Sequence, residues 1–169
     1  MKRIFLIGYM GCGKTTLGKL IAQKVGFDFV DLDAFIEKRY LKTVATIFAE
    51  MGETKFREIE RNALTEVSLF EKVVIATGGG TPCFFDNMSL MNEAGLTIYI
   101  QMSVQQLATR LEISRAGKRP LIANLKGDEL HNFIEKGLRK REAYYLKATM
   151  ILSGSDNELL EKTIAALYA

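Results

Sequence analysis

Residues 8–15, G-Y-M-G-C-G-K-T, match the phosphate-binding pattern G-x-x-x-x-G-K-[ST]. Glycines in such a loop let backbone N–H groups turn toward phosphate oxygens, and the N-terminus of the following helix adds a partial positive charge. Lys14 can place a cation on the β- and γ-phosphates, and the Thr15 hydroxyl can ligate Mg²⁺. The loop therefore predicts that the chain binds a nucleoside triphosphate with magnesium and transfers its terminal phosphate.

Two carboxylates, Asp31 and Asp33, follow a second short strand predicted at residues 27–31. Strand residues two positions apart share a face, if the extended conformation persists that far. One carboxylate could then hold magnesium through water while the other faces a hydroxyl of the phosphate acceptor. The alternative is that Asp33 caps a helix beginning at Ala34, and one carboxylate can serve both purposes.

The elements around the loop are those that the pattern requires. Residues 3–7 form an apolar run typical of a buried strand, and residues 14–25 form a helix that Gly26 would end. With a strand before the loop and a helix after it, a chance glycine turn is a poor alternative. We therefore assign ATP contacts to Gly11, Cys12, Gly13, Lys14, Thr15 and Thr16.

The remainder of the chain alternates short β-branched runs with longer amphipathic segments, which favours a parallel sheet covered by helices. Further strands are predicted at residues 73–77, 97–101 and 149–153, and helices at residues 53–70 and 157–168. Residues 113–124 have weak periodicity and several charges, as expected of a functional lid. No linker or repeat interrupts the pattern, so we expect one domain over residues 1–169.

The composition narrows the class of protein. Two cysteines are too few for a disulfide framework, and a single histidine excludes a histidine-rich metal cluster. The net charge of +3 comes with no pattern of a nucleic-acid module, so we expect no nucleic-acid partner. No apolar run approaches the roughly 20 residues of a membrane span, and glycines interrupt the apolar N-terminus. We expect a soluble, cytoplasmic monomer that does not contact membranes.

Four further segments accompany the phosphate loop and the aspartate pair. They are G-E-T-K-F-R-E-I-E at residues 52–60, T-G-G-G at 77–80, K-R-P-L at 118–121 and R-E-A-Y-Y at 141–145. In this order and at these spacings, the set resembles shikimate kinase over essentially the whole chain.

The resemblance implies a three-layer α/β P-loop kinase fold like that of nucleoside monophosphate kinases. It also implies a five-stranded parallel sheet and a mobile lid at about residues 113–124. The implied reaction transfers the γ-phosphate of ATP to the 3-hydroxyl of shikimate with Mg²⁺ as cofactor, a step toward chorismate and the aromatic amino acids.

On the acceptor side, the resemblance implies that Asp33 binds the shikimate hydroxyls and acts as base. Arg57 and Arg141 would hold the shikimate carboxylate, which the guanidinium fork matches. The backbone around Gly79, within the run Gly78, Gly79 and Gly80, would approach the ring.

On the nucleotide side, the resemblance implies that Asp31 joins Thr15 at the magnesium site. Arg119 would reach the phosphates from the lid and, with Lys14 and Asp33, complete the catalytic set. Arg115 is the candidate to pack near adenine, with Arg110 behind it.

Several of these residues have plainer interpretations. Arg57 lies four residues after Glu53 and three before Glu60, so an ion-pair ladder on a helix surface would also explain it. The glycine run could be a flexible turn, and Arg119 a solvated loop charge. Arg141 could cover the exposed side of its helix, and Arg139 lies close enough to compete for its role.

Two other functions are compatible with a phosphate loop. Gluconate kinases and nucleoside monophosphate kinases share the fold and size, but the glycine run and residues 52–60 argue against both. A guanine-nucleotide switch protein would require an N-K-x-D segment to recognise guanine. The segment at residues 124–126, N-L-K, is the nearest and lacks that pattern.

Overall fold

A computed structural model of the chain describes residues 3–114 and 120–169. In these residues five parallel strands form one sheet in the order β2-β3-β1-β4-β5. The strands are β1 (Arg3–Ile7), β2 (Asp28–Asp31), β3 (Val73–Ala76), β4 (Leu96–Ile100) and β5 (Met150–Leu152). All residues of β3 and β4 are buried, as expected of parallel strands with helices on both faces. The predicted five-stranded parallel sheet is confirmed.

Seven α-helices accompany the sheet in the described residues. They are α1 (Lys14–Val25), α2 (Leu32–Tyr40), α3 (Val44–Val67), α4 (Asn87–Ala94), α5 (Val104–Ile113), α6 (Gly127–Tyr145) and α7 (Asp156–Tyr168). The connection from β1 to β2 runs in one direction along the sheet, and the connection from β2 to β3 returns in the other. Because such crossovers are right-handed, α1 and α3 lie on opposite faces of the sheet. This arrangement gives the three layers of the predicted α/β fold.

The site-bearing loops follow from this strand order. Neighbouring strands β1 and β3 connect onward in opposite directions, β1 toward β2 and β3 toward β4. Open parallel sheets bind ligands outside the carboxyl ends of the strands where the connections diverge in this way. The phosphate loop follows β1, and the glycine run at residues 78–80 follows β3. Two predicted binding segments therefore emerge side by side.

Several predicted bounds are wrong by a few residues. Strand β2 begins at Asp28, one residue later than predicted, and β5 is confined to Met150–Leu152. The helix predicted over residues 53–70 is the second part of α3, which ends at Val67. The helix is interrupted at Gly52, whose φ of 80° lies in the left-handed region that glycine tolerates. Beyond this kink the predicted apolar stripe is buried.

The predicted lid, residues 113–124, is described at its two ends. Helix α5 ends at Ile113, and Pro120–Ile122 forms a short 3₁₀ helix whose last side chain is buried. Residues 115–119, with Arg115 and Arg119, lie outside the described residues. Among the described helices, none is both long and apolar enough to cross a membrane.

Candidate active site

The phosphate loop has the backbone geometry of an anion cradle. Gly8, Gly11 and Gly13 have φ angles of 147°, 84° and 92°, which residues with a Cβ rarely adopt. Gly13 directly precedes the first turn of α1, whose N–H groups have no partner within the helix. The loop and the helix N-terminus together offer donors and partial positive charge to a phosphate.

Lys14 is buried, and its ammonium group is held inside the loop. Nζ donates to the carbonyl oxygens of Gly8 at 2.7 Å and Tyr9 at 3.1 Å, with the Cys12 sulfur at 3.7 Å. These acceptors carry no full charge, so an anionic phosphate oxygen would be a stronger partner. The cation therefore lies inside the predicted phosphate loop, held by neutral carbonyls that an anionic ligand could replace.

Thr15 and Asp31 lie next to each other at the edge of this loop. The Thr15 hydroxyl donates to Asp31 Oδ2 at 2.8 Å, and Asp31 Oδ1 accepts the Ala34 N–H at 3.1 Å. Asp31 is therefore the N-cap of α2, and the alternative that Asp33 caps this helix is wrong. The strand ends at Asp31, so Asp33 lies in the first turn of α2 and not on an extended segment.

The Thr15–Asp31 pair supplies two hard oxygen donors, the type that Mg²⁺ prefers. No group of three or more His, Cys, Asp or Glu side chains suited to a metal occurs in residues 3–114 and 120–169. Nucleotide-bound Mg²⁺ in proteins usually takes its remaining oxygens from phosphates and water.

Asp33 faces the glycine run rather than solvent. A Cβ added to Gly78 would lie 3.2 Å from Asp33 Oδ1 and 3.3 Å from Glu60 Oε2. Burial raises the pKa of Asp33 to about 6, and the negative charges of Asp31 and Glu60 add to the rise, while Lys14 opposes it. Burial makes the ionised form of Asp33 unfavourable, and a hydroxyl donor or a cation beside it would stabilise that form.

Arg57 lies behind the same run. Its Nη1 pairs with Glu60 at 2.9 Å and its Nη2 with Glu53 at 3.5 Å, so both ion pairs of the alternative interpretation are present. The Arg57 side chain is only 11% exposed, however, and its guanidinium stacks 4.1 Å from the Phe84 ring centroid. Its Nε is buried without a hydrogen-bond partner in the described residues. A Cβ on Gly80 would lie 2.6 Å from Nη2, so a larger residue there would displace the guanidinium from its present position.

Glu60 has a positioning role that the sequence analysis missed. Its side chain is 1% exposed, and it bridges Arg57 and the Thr81 hydroxyl, which donates at 2.8 Å. The available signal was a carboxylate on the apolar stripe of α3, between Phe56 and Ala63. A buried charge at such a position needs partners, and the partners here are functional candidates.

Arg141 of α6 also lies against the glycine run. A Cβ on Gly79 would lie 3.2 Å from Arg141 Nη1, and the guanidinium lies 5.4 Å from the Tyr9 ring centroid. Arg139, by contrast, has a side chain that is 78% exposed and pairs with Glu135 at 3.1 Å. The geometry therefore brings Arg141, and not Arg139, to the candidate site.

One cavity of about 440 Å³ joins the phosphate loop to the glycine run. Besides the loop residues, its walls include Asp31, Asp33, Thr77, Gly78, Gly79, Arg110, Ile113 and Ser114. Arg110 lies beside the phosphate loop: a Cβ on Gly13 would be 3.0 Å from its Nη1, and its Nη2 pairs with Asp156 at 2.8 Å. The cavity therefore brings the phosphate loop, both aspartates and the first two glycines of the run together, while Arg57 and Arg141 are not in its walls.

Known proteins resemble this chain over most of its length. The family model for shikimate kinase matches residues 10–168. The shikimate kinase of Parabacteroides distasonis is 55% identical over 150 residues, which cover 89% of this chain and 86% of the relative.

Solved structures extend the match to the fold. The crystal structure of shikimate kinase from Bacteroides thetaiotaomicron has a TM-score of 0.94 and 44% identity, covering 99% of this chain and 98% of that one. The shikimate complex of the Acinetobacter baumannii enzyme has a TM-score of 0.87 and 29% identity, covering 99% and 93%. A gluconokinase from Sinorhizobium meliloti, at 17% identity and a TM-score of 0.65, shares the fold alone. The chain therefore belongs to the shikimate kinase family.

Proposed function

We propose how this site carries out the family's reaction, the transfer of the γ-phosphate of ATP to the 3-hydroxyl of shikimate. The observation that carries the proposal is the single cavity shared by the phosphate loop, Asp33 and Gly79. Phosphoryl transfer depends mostly on positioning and charge stabilisation. A cavity that joins a phosphate cradle to Asp33 and Gly79 supplies the positioning, and Lys14 and Arg110 in its walls supply positive charge.

The phosphate loop would hold the triphosphate. Backbone N–H groups of the loop would bind its oxygens, and Lys14 would leave the carbonyls of Gly8 and Tyr9 for the β- and γ-phosphates. Arg119 would add charge stabilisation from the lid, in the manner of an arginine finger. Arg110 is placed to help hold the nucleotide beside Gly13, with Arg115 as the lid candidate near adenine.

Thr15 and Asp31 would hold Mg²⁺ through hydroxyl and carboxylate oxygens, directly or through water. The ion, when bound, neutralises charge on the phosphates. Thr15 would have to turn its hydroxyl proton away from Asp31, and Asp31 would keep its cap to the Ala34 N–H through its other oxygen.

Arg57 and Arg141, which lie beside Gly80 and Gly79, would bind the shikimate carboxylate. The position of the Arg57 guanidinium against Gly80 supports this role. Asp33 would orient the acceptor hydroxyl and receive its proton. With a pKa of about 6, Asp33 is mostly ionised at neutral pH and still basic enough to take part.

Residues 113–124 would close over the bound substrates as the lid of a single domain. Ile113 and Leu121 support this role, because they are 76% and 70% exposed at the two ends of the segment and closure would cover them. We further propose that the enzyme is a cytoplasmic monomer, which size-exclusion chromatography and cell fractionation would test.

The deciding experiment is a coupled assay of ADP formation with ATP, Mg²⁺ and one acceptor at a time. We expect shikimate to be phosphorylated and gluconate and nucleoside monophosphates to be inert. Phosphorylation of gluconate in place of shikimate, or ATP hydrolysis indifferent to shikimate, would contradict the proposal.

A further inference from the structure

We infer that Tyr145 is a positioning residue of the acceptor site, which fixes the Gly79–Gly80 peptide through its hydroxyl group. Tyr145 is fully buried, and its hydroxyl donates to the carbonyl oxygen of Gly79 at 2.5 Å. The inference rests on the proposed function, because it assumes that the glycine run and Arg141 contact shikimate.

The glycine run lacks side chains that could hold it in one conformation. The Gly78 carbonyl accepts the Thr81 N–H at 3.2 Å, and the Gly80 carbonyl accepts the Cys83 N–H at 3.0 Å. The Gly79 carbonyl instead accepts from Tyr145, 66 residues away in the sequence. Because glycine has wide backbone freedom, this long-range bond restrains the middle of the turn.

Because the peptide bond is planar, a restraint on the Gly79 carbonyl also restrains the Gly80 N–H. The Gly79–Gly80 peptide is trans, so the Gly80 N–H points opposite to the Gly79 carbonyl and away from Tyr145. Rotation of this peptide would move the N–H and would also change the backbone beside the Arg57 guanidinium, which lies against Gly80. The Tyr145 hydroxyl therefore controls groups that it does not touch.

Helix α6 links this bond to the acceptor arginine. Arg141 and Tyr145 are four residues apart, so they lie on the same face of the helix. The Tyr145 hydroxyl donates to the Gly79 carbonyl, and Arg141 Nη1 lies 3.2 Å from the position that a Cβ on Gly79 would occupy. Helix α6 therefore fixes the position of Arg141 relative to the backbone of Gly79.

The Tyr145 hydroxyl keeps its proton, and so remains a hydrogen-bond donor, over the working pH range. Burial raises the pKa of the Tyr145 hydroxyl far above neutrality, and the nearby positive charge of Arg141 opposes this only in part. The ring itself packs on Tyr99, with centroids 5.0 Å apart. A phenylalanine would keep this packing and remove the hydroxyl, with its bond to Gly79 and its hydrogen-bond contact with the Arg141 side chain.

The test compares Tyr145→Phe with the wild-type enzyme in steady-state kinetics and in shikimate titrations by calorimetry. We expect the KM and the Kd for shikimate to rise about tenfold, the effect of losing one buried hydrogen bond. The KM for ATP should change less than twofold, and the Gly80 amide resonance should shift in ¹⁵N NMR spectra.

Two matched variants control for general effects. Tyr144→Phe removes a hydroxyl from the neighbouring, exposed tyrosine, and Tyr99→Phe removes the other hydroxyl of the buried ring pair, 3.5 Å from Glu142. Both should keep wild-type kinetics. An equal rise in shikimate KM for Tyr99→Phe would mean that cluster packing matters and not the Gly79 bond, which would overturn the inference.

Other outcomes separate this inference from the proposed function. A lower melting temperature of Tyr145→Phe with both KM values unchanged would leave the hydroxyl only a structural role and overturn the inference. A large rise in shikimate KM for Arg141→Ala with none for Tyr145→Phe would overturn the positioning role alone. No rise for either variant would overturn the acceptor site as well.

Discussion

The nucleotide half and the acceptor half of this site are built in different ways. The phosphate loop is one continuous segment, and its lysine is held by carbonyls five and six residues away. The acceptor half is assembled from α2, α3, the turn after β3 and α6, which meet only in the folded chain. A local motif can be read from the sequence directly, whereas an assembled site depends on how distant elements pack.

The largest expected effect is on the local half. Lys14→Ala should lower kcat for shikimate phosphorylation by about a thousandfold, because it removes the cation that the motif places on the transferring phosphate. The measurement is single-turnover phosphorylation at saturating ATP and shikimate. A rate close to that of the wild type would show that the loop does not have its assigned role.

The next effect separates two neighbouring arginines of the assembled half. Arg141→Ala should raise the KM for shikimate about a hundredfold, since a charge-assisted contact with the carboxylate is lost, and leave the KM for ATP nearly unchanged. Arg139→Ala is the matched control, because Arg139 is exposed and pairs with Glu135 on its own helix. Equal effects of the two substitutions would mean that the geometry does not discriminate between them.

A third prediction concerns stability. The pKa of Asp33 is raised from 3.8 to about 6, so its contribution to stability is fully present below pH 3.8 and is lost as pH rises through about 6. Asp33→Asn lacks this loss, so its free energy of unfolding should exceed that of the wild type by about 3 kcal/mol at pH 7.5. The advantage should shrink toward pH 4.

Urea unfolding in the presence of a chelator and without nucleotide measures this difference. Asp28→Asn is the control, because Asp28 is exposed at the other end of β2. A difference between Asp33→Asn and wild type that stays constant from pH 4 to pH 8 would contradict the burial argument.

The smallest effect tests the space beside Arg57. Gly80→Ala would place a Cβ 2.6 Å from Arg57 Nη2 and force the guanidinium to move. Gly80 has a φ of −91°, so alanine adds no backbone strain there. The KM for shikimate should rise about tenfold, with ATP binding unchanged, and a crystal structure should show Arg57 displaced. An undisturbed shikimate KM would show that the arginine can adapt.

Much of the local half could be predicted from the sequence. The bounds of β1 and α1 agree with the prediction because an apolar run, a glycine loop and an amphipathic helix follow one another without a break. The parallel sheet was predictable for a related reason, since strands buried on both faces are uniformly apolar.

The assembled half could be predicted only in part. The helix predicted to begin after Asp33 begins two residues earlier, because the chain leaves β2 at once and Asp31 takes the cap. The sequence indicates a role for Glu60 only weakly, as a carboxylate among the apolar residues of α3. No feature of the sequence distinguishes Tyr145 from Tyr144. The importance of Glu60 and Tyr145 arises from partners 21 and 66 residues away, which no local pattern specifies.

The most direct test of two separately built halves is calorimetric titration of Arg57→Ala with each substrate. The account predicts that shikimate affinity falls by about two orders of magnitude while the affinity for the Mg²⁺ complex of an ATP analogue stays within twofold of the wild-type value. Because the change leaves Glu60 buried without its arginine, Glu60→Gln in the same background should restore stability without restoring shikimate binding. An equal loss of both affinities, or a loss of nucleotide affinity alone, would contradict the account.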